Sequence, residues 1–431
     1  MEAKSRKLVI HMDINMTCVM QDLANHYSLE ITINKILASQ SWGNRIIKDE
    51  LSYWELTHPQ ISFLKPAPDL LSYDQYIKSL YKRKFPIEEQ DEPKRQLYNN
   101  EQKAKYLKNI SEFTQIGQPG YKFHALLEQM IDILTIHNPS EELLLENEEH
   151  KNYQEKNINS DKMLLIPSFF EMIKKLKDNK RDFAIVFRTF GKELNTVVDE
   201  FNMFCKGIHP KYNRKNKRRK IESVKKLKYK DMVIDEQNYG YMSRNISRNL
   251  LVLGSLTRLS QNELHNEGNE KKVISVSEGF RNIYSAIQNN LCKRVSLAIN
   301  DDYFYWHYNG EKGEYGKLLL IDEDDYETQH IFFDDNINFD SPKIVDVRNV
   351  VTGESIPFAK CINKYIFKVD SYRAITEPDY FYESILICES NRDEELNSIE
   401  TNTNPTHIKQ NELSIYEIEK NNQNISQNEY P

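Results

Sequence analysis

Three short apolar runs, far apart in the chain, end abruptly in polar residues, and this pattern constrains the fold more than any other feature. The runs are Leu8–Met12 before Asp13, Phe183–Phe187 before Arg188 and Thr189, and His330–Phe333 before Asp334 and Asp335. Continuous apolar runs of this length are typical of parallel strands buried on both faces. The sequence therefore predicts strands at these three places.

Helical patterns lie on both sides of the second run. "IPSFFEMIKKLKD" precedes it, with a proline in the first turn and apolar residues three and four apart, and "KELNTVVDEFNMFC" follows it. Parallel strands need crossover connections, which are usually helical. We predict an α/β fold with a Rossmann-like, mostly parallel sheet flanked by helices, and with large, mainly helical insertions that could form caps.

The chain of 431 residues is expected to comprise one core domain with additions. The predicted parts are an α/β core at 1–20, 161–206 and 316–390, a helical insertion at 21–160 with an acidic flexible connection near 140–160, a second insertion at 207–315, and a disordered, Asn- and Glu-rich tail at 391–431. Insertions above the carboxyl ends of the strands could exclude water and select the substrate.

The net charge of -7 conceals a densely basic segment at residues 206–230. One interpretation is a solvated, lysine-rich face. The alternative is that Lys211–Lys230 binds an acidic partner or nucleic acid, or directs nuclear import. The segment resembles no named nucleic-acid-binding fold with interleaved aromatic residues.

The cysteine spacing and the hydropathy of the sequence indicate the cellular compartment. The five cysteines are scattered without CxxC spacing, which suits a reducing compartment and argues against a thiolate zinc site. The sequence has no apolar run of membrane-spanning length and no signal-peptide pattern. We expect a cytoplasmic protein, with the nucleus as the alternative, that does not use a membrane as partner. The sequence indicates no oligomeric state.

The three strand ends predict a common site. In an open parallel sheet the carboxyl ends of neighbouring strands meet in one crevice, so Asp13 and the pair Asp334 and Asp335 would lie together. Clustered carboxylates repel unless a cation neutralises them, and Mg²⁺ accepts such oxygen ligands while binding substrate phosphate. This chemistry suggests phosphoryl transfer to a nucleophilic aspartate, with a phosphorylated substrate.

The strand ends resemble the motifs of the haloacid dehalogenase-like (HAD) superfamily. "HMDINMT" is similar to its first motif, "FAIVFRT" to the second and "HIFFDDN" to the fourth, in the family's order. Lys317 in "EYGKLLLID" is the candidate for the lysine of the third motif; the alternative is an ordinary surface lysine. The extended phrases around the motifs resemble an uncharacterised branch.

The resemblance implies a role for each matched residue. Asp13 would be the nucleophile, Thr17 and Thr189 would hydrogen-bond the transferred phosphoryl group, and Lys317 would neutralise the phospho-aspartate. The metal ligands for Mg²⁺ would be Asp13, Asp334 and Asp335, with the backbone carbonyl of Asn15.

Asn15 departs from the family's pattern. The family's usual phosphatases have a second aspartate at this position, which acts as general acid and base. An amide cannot supply or take that proton, and general acid–base catalysis contributes about 10²–10⁴-fold to the rate. Three interpretations stay open: a slow or specialised phosphohydrolase, a phosphotransferase with a good leaving group, and a catalytically inactive binding protein that could use its basic segment.

Overall fold

The strands in the described part of the chain form one large sheet and two small ones. The computed structural model describes residues 6–20, 27–85, 88–137, 161–212, 229–258, 273–293 and 295–403. The strands are β1 (Lys7–Asp13), β2 (Trp42–Lys48), β3 (Leu51–Leu56), β4 (Leu71–Ser72), β5 (Phe183–Thr189), β6 (Tyr239–Arg244), β7 (Asn249–Leu253), β8 (Ser275–Glu278), β9 (Ser296–Asp301), β10 (Lys317–Ile321), β11 (Thr328–Asp334), β12 (Val345–Asn349) and β13 (Ile366–Lys368).

Helices connect these strands and cover the large sheet. They are α1 (Leu29–Gln40), α2 (Tyr73–Leu80), α3 (Glu92–Ser111), α4 (His124–Ile133), α5 (Pro167–Asp178), α6 (Leu194–Lys206), α7 (Phe280–Lys293), α8 (Tyr303–Tyr308), α9 (Phe358–Cys361), α10 (Ser371–Thr376) and α11 (Tyr380–Thr403). The two helices predicted around the second apolar run are confirmed as α5 and α6. Within the described ranges, no helix is long and apolar enough to cross a membrane.

The large sheet has eight strands in the order β13-β11-β1-β5-β9-β6-β7-β8. The six strands from β13 to β6 run parallel to one another, and β7 pairs antiparallel with both β6 and β8. The predicted α/β fold with a mostly parallel sheet is therefore confirmed.

Strand β1 lies inside the sheet, and its side chains are buried on both faces. Leu8, Ile10 and Met12 belong to one core, which also contains residues of α5 and α6, whereas Val9 belongs to a second core that contains residues of α7. Both cores exclude water from the strand, which explains why the residues from Leu8 to Met12 are all apolar except the buried His11. Helices thus cover the sheet on both faces.

The insertion predicted at 21–160 contains strands as well as helices. Helices α1 to α4 lie in it, and β2, β3 and β4 form a separate antiparallel sheet in which β2 is central. Residues 138–160, which include the predicted acidic connection near 140–160, lie outside the described residues. The sequence did not indicate this sheet because its middle strand is largely exposed and carries polar residues on a short hairpin.

Residues 207–315 differ from the predicted second insertion. They contribute β6, β7, β8 and β9 to the central sheet, with β9 paired directly to β5. Strand β9 reads "SLAIND", in which only Leu297, Ala298 and Ile299 form an apolar run. Such a run is too short to identify a strand from the sequence alone. Residues 213–228 of the basic segment lie outside the described residues.

The chain divides into two units, Met1–Glu389 and Ser390–Pro431. Helix α11 continues to Thr403, whereas the sequence predicts disorder from residue 391, so that prediction is wrong for 391–403. The rest of the predicted tail, residues 404–431, lies outside the described residues. In the second unit, Arg392 and Glu395 form an ion pair of 3.0 Å one helical turn apart, which supports a helix there.

A buried ion pair joins β5 to β9. Arg188 is fully buried, and its guanidinium donates to both carboxylate oxygens of Asp301, over 2.9 Å from Nε and 2.6 Å from Nη2. It also donates to the carbonyl of Leu318, 3.0 Å away. This bidentate geometry satisfies a charge that would otherwise be costly inside the protein.

We predict that Asp301→Ala lowers the free energy of unfolding by about 3–5 kcal/mol, because Arg188 would remain buried without its carboxylate. Urea unfolding measures this loss. The matched control is Glu278→Ala, which removes the exposed partner of Arg248 and should cost less than about 1 kcal/mol. A similar small cost for both variants would contradict this account of the Arg188–Asp301 pair.

Candidate functional site

The strand order reverses next to β1, and the predicted site lies at this reversal. From β1 the chain adds β5 and β9 on one side, whereas the later strands β11 and β13 lie on the other side. In open α/β sheets the carboxyl ends of the strands form a crevice at such a switch point, and ligands bind there. The polar ends of β1 and β11, Asp13 and Asp334, therefore face the same crevice.

Lys317 links the two strand ends. Its ammonium group donates a short hydrogen bond to Oδ1 of Asp13 and a 2.8 Å hydrogen bond to Oδ2 of Asp334. The residue opens β10, which pairs with β12 outside the central sheet, and it is only 2% exposed. The alternative prediction of an ordinary surface lysine is therefore wrong.

The surroundings of Lys317 favour its charged form. Burial alone would lower the pKa of Lys317, but the charges of Asp13 and Asp334 outweigh burial and raise this pKa above its usual value. The ammonium also lies 5.2 Å from the ring centre of Phe190 and 5.7 Å from that of Phe332. A buried lysine that two carboxylates and two aromatic faces surround stays protonated and fixed in place.

Three carboxylates cluster at these strand ends, and Lys317 contacts two of them. One oxygen of each of Asp13, Asp334 and Asp335 lies within 4.8 Å of the others. Burial and the charge of Asp334 raise the pKa of Asp13 well above its usual value, although Lys317 opposes this. Burial and Asp334 likewise raise the pKa of Asp335 to about 6. The site thus gathers three carboxylates in an all-oxygen donor set, which fits a Mg²⁺ ion.

Thr17 connects the loop after β1 to the end of β11. Its hydroxyl donates to Oδ2 of Asp13 over 3.1 Å and accepts from the backbone N–H of Asp335 over 3.1 Å. The backbone N–H of Asn336 donates to Oδ1 of Asp334 over 2.8 Å. These bonds fix the orientation of two carboxylates before any ligand binds.

The loop that carries Asn15 is tightly wound. Met16 has a left-handed φ of 62°, which costs a residue with a side chain roughly 1–2 kcal/mol. The N–H of Met16 bonds to the carbonyl of Val19 over 2.8 Å, and the hydroxyl of Ser371 donates to the carbonyl of Met16 over 2.5 Å. The loop is therefore held in one conformation by its own backbone and by α10.

A carboxylate that the sequence analysis missed joins Thr189 to Asn15. Oε1 of Glu193 accepts from the hydroxyl of Thr189 over 2.6 Å and from the side-chain amide of Asn15 over 2.9 Å. A Cβ at Gly191 would come within 1.9 Å of Oε2 of Glu193, so only glycine permits this arrangement. Thr189 thus reaches the site through Glu193, and the close "TFGKE" spacing was the signal available in the sequence.

Most of the predicted site residues lie close to one another. Asp13, Thr17, Lys317, Asp334 and Asp335 share hydrogen bonds or lie within metal-bridging distance. In the described part of the chain, the side-chain carbonyl Oδ1 of Asn15 is buried without a hydrogen-bond partner, so this polar atom could accept a donor from a ligand.

We predict that Asp335→Asn stabilises the metal-free protein at pH 7.5. Folded Asp335 is charged above its raised pKa of about 6, whereas the unfolded residue titrates near 4, so the charge costs stability above pH 6. As the pH falls from 6 towards 4, the folded wild type takes up this proton first and the cost disappears.

The measurement is urea unfolding of wild type, Asp335→Asn and the matched control Asp340→Asn between pH 5 and 7.5. The advantage of Asp335→Asn over wild type should shrink as the pH falls. Added Mg²⁺ should stabilise wild type more than the variant, because a ligand stabilises the state that binds it. An advantage that does not change with pH would contradict the assigned cause.

Comparisons of the chain with protein-family models, with curated proteins and with solved structures found no significant match. The geometry of the site is therefore the basis for the function proposed below.

Proposed function

We propose that the protein is a Mg²⁺-dependent phosphohydrolase or phosphotransferase that acts through an aspartyl phosphate on Asp13. The observation that carries the proposal is the ammonium of Lys317 between Asp13 and Asp334, with Asp335 in metal-bridging distance. The scaffold would be Rossmann-like. It would resemble that of the HAD-like superfamily in the order of the motifs and in having a lysine, Lys317, at the third motif.

The reaction would proceed in two displacements at phosphorus. An oxygen of Asp13 attacks the phosphorus atom, the bond from phosphorus to the leaving oxygen breaks, and that oxygen departs with the bonding electrons and takes a proton from water. A water molecule or an acceptor hydroxyl then attacks the phosphorus of the phospho-aspartate and gives up its proton to the solvent. The phosphorus–Asp13 bond breaks, and the carboxylate is regenerated.

Side chains of the protein would supply part of the charge stabilisation. Lys317 would oppose the rise in the pKa of Asp13 and then face the phosphoryl oxygens, where negative charge develops in the transition state. Thr17 would keep the second oxygen of Asp13 in place through its 3.1 Å hydrogen bond. Mg²⁺, held by Asp13, Asp334, Asp335 and the backbone carbonyl of Asn15, would neutralise the remaining charge.

The environment of Asn15 supports a slow or specialised enzyme. Its amide donates to Glu193 and cannot transfer a proton to the leaving oxygen. The fixed carboxylate of Glu193 keeps the amide in this orientation. Substrates whose leaving group departs without a proton would therefore react best.

We predict that wild type releases phosphate from p-nitrophenyl phosphate only with Mg²⁺, and that Asp13→Asn abolishes this release because an amide is no nucleophile here. The assay measures phosphate over a panel of esters and anhydrides. Asp340→Asn changes an exposed residue in the loop that follows β11; it is the matched control and should retain full activity. Equal release by wild type and Asp13→Asn would contradict the proposal.

We predict that Asn15→Asp accelerates the hydrolysis of phenyl phosphate by at least about tenfold, with a smaller gain for p-nitrophenyl phosphate. The new carboxyl group would contact Glu193, and the negative charge of Glu193 would raise the pKa of the new group. The new carboxyl group would therefore carry the proton that the poorer leaving group needs. Steady-state kcat values for the two esters measure this difference. An equal response of both esters would contradict the assigned role of position 15.

Asn15 also favours a second candidate function, a catalytically inactive protein that binds a phosphate-bearing ligand on the same scaffold. Such a protein could engage an acidic partner or nucleic acid through Lys211–Lys230. Its affinity for nucleic acid would fall steeply as salt rises, and Asp13→Asn would leave this binding unchanged.

A further inference from the structure

A cavity of about 590 Å³ lies against the site. Its lining includes Asn15, which follows Asp13 in the loop after β1, and Phe190 and Gly191, which follow β5. The other walls come mainly from α1, α2 and α3 of the first insertion and from Tyr303 of α8. A volume of this size suits a small molecule rather than a protein chain. The cavity therefore borders the place where a phosphoryl group on Asp13 would lie.

Aromatic rings are enriched in the walls of the cavity. Aromatic residues make up 11% of the chain but five of the twelve described lining residues, namely Tyr27, Tyr81, Tyr106, Phe190 and Tyr303. Aromatic side chains bind other rings by offset stacking and by edge-to-face contacts. The enrichment therefore favours a ligand that itself carries an aromatic ring.

Two of these rings are held by residues outside the lining. The hydroxyl of Tyr106 donates a 2.6 Å hydrogen bond to Asp74, which is buried. Phe190 stacks on Trp306, with ring centres 5.2 Å apart and planes that differ by 21°. Rings that are fixed before a ligand enters lose less entropy when it binds.

Three of the four cations in the lining interact with carboxylates of the protein. Lys78 forms a 2.6 Å ion pair with Asp74, and Arg83 forms a 3.1 Å ion pair with Glu311. The charge of Lys35 also acts on Asp74. Because these charges already have partners in the protein, the ligand group that enters the cavity can be uncharged.

The chemistry at Asn15 favours the same kind of ligand. The amide of Asn15 donates to Glu193 over 2.9 Å and cannot transfer a proton to the leaving oxygen. The leaving oxygen must then be stable as an anion. A phenolate meets this requirement and an alkoxide does not, since a phenol hydroxyl, as in tyrosine, has a pKa of about 10.

From the aromatic lining and the amide at position 15, we propose that the substrate of Asp13 is a small aryl phosphate, the phosphate monoester of a phenol, whose ring occupies the cavity. The inference rests on the proposed function. As Asp13 attacks the phosphorus, the bond from phosphorus to the phenolic oxygen breaks. That oxygen leaves with the bonding electrons as a phenolate and afterwards takes a proton from water.

The test is calorimetric titration of the full chain, in the presence of Mg²⁺, with phenylphosphonate and with cyclohexylphosphonate. Both anions resist hydrolysis, because a carbon–phosphorus bond replaces the ester, and they are similar in charge and size. Only phenylphosphonate has an aromatic ring. It should bind about tenfold more tightly than cyclohexylphosphonate, as contact with the aromatic walls implies.

Tyr303→Leu and Tyr81→Leu, which change different walls of the cavity, should each reduce this preference by about threefold, because leucine keeps an apolar contact but loses the aromatic one. Tyr308→Leu is the matched control. Tyr308 lies on α8 with Tyr303 but is 53% exposed and outside the lining, so this variant should keep the preference of wild type.

A kinetic comparison extends the test to the reaction. The kcat/KM of wild type for phenyl phosphate should exceed that for hexafluoroisopropyl phosphate by about tenfold, since the alcohol of the second ester is about as acidic as phenol but has no ring.

The possible failures are separate. Equal affinity for the two phosphonates, an unchanged preference in both cavity variants, or equal kcat/KM for the two esters would overturn the inference and leave the proposed function standing. Absence of phosphate release from every ester would overturn the proposed function, and with it the assignment of an aryl phosphate as substrate.

Discussion

The ammonium of Lys317 between Asp13 and Asp334 is the interaction on which the site depends. Without this cation, two buried carboxylates from neighbouring strands would repel each other across the crevice where strand order reverses. Lys317 comes from β10, outside the central sheet, and the carbonyl before it, at Gly316, accepts a short hydrogen bond from Arg244. Arg244 is itself paired with Asp346 over 2.6 Å. Strands of two sheets are thus tied to one charged centre.

The strands that carry the site could be predicted from the sequence because they are buried on both faces. Burial of β1, β5 and β11 requires mostly apolar runs, and such runs are visible without a structure. Strand β9 was not predicted, although it lies beside β5, because its apolar part is short. Arg188 looked like a polar corner after a strand, but its pairing with Asp301 allows it to be fully buried. Partners distant in sequence decide such cases.

The same distinction applies to the site. Asp13, Asp334 and Asp335 follow strands whose carboxyl ends meet at one edge of the sheet. Their proximity could therefore be predicted from the sequence. The contact between Glu193 and Asn15 depends on how two loops pack, and no pattern specified it. The cavity beside Asn15 likewise collects residues from three helices of the first insertion. In the proposed function, the contact between Glu193 and Asn15 would govern proton transfer, a property that the strand motifs leave open.

The most direct test of the central claim is to trap the phospho-aspartate. The full chain would be incubated with Mg²⁺ and p-nitrophenyl phosphate, quenched in acid and reduced with borohydride, which converts an aspartyl phosphate to homoserine. The account predicts homoserine at position 13 by peptide mass spectrometry, and none in protein incubated without the ester. Phosphate release with Asp13 unmodified, or homoserine at another aspartate, would contradict it.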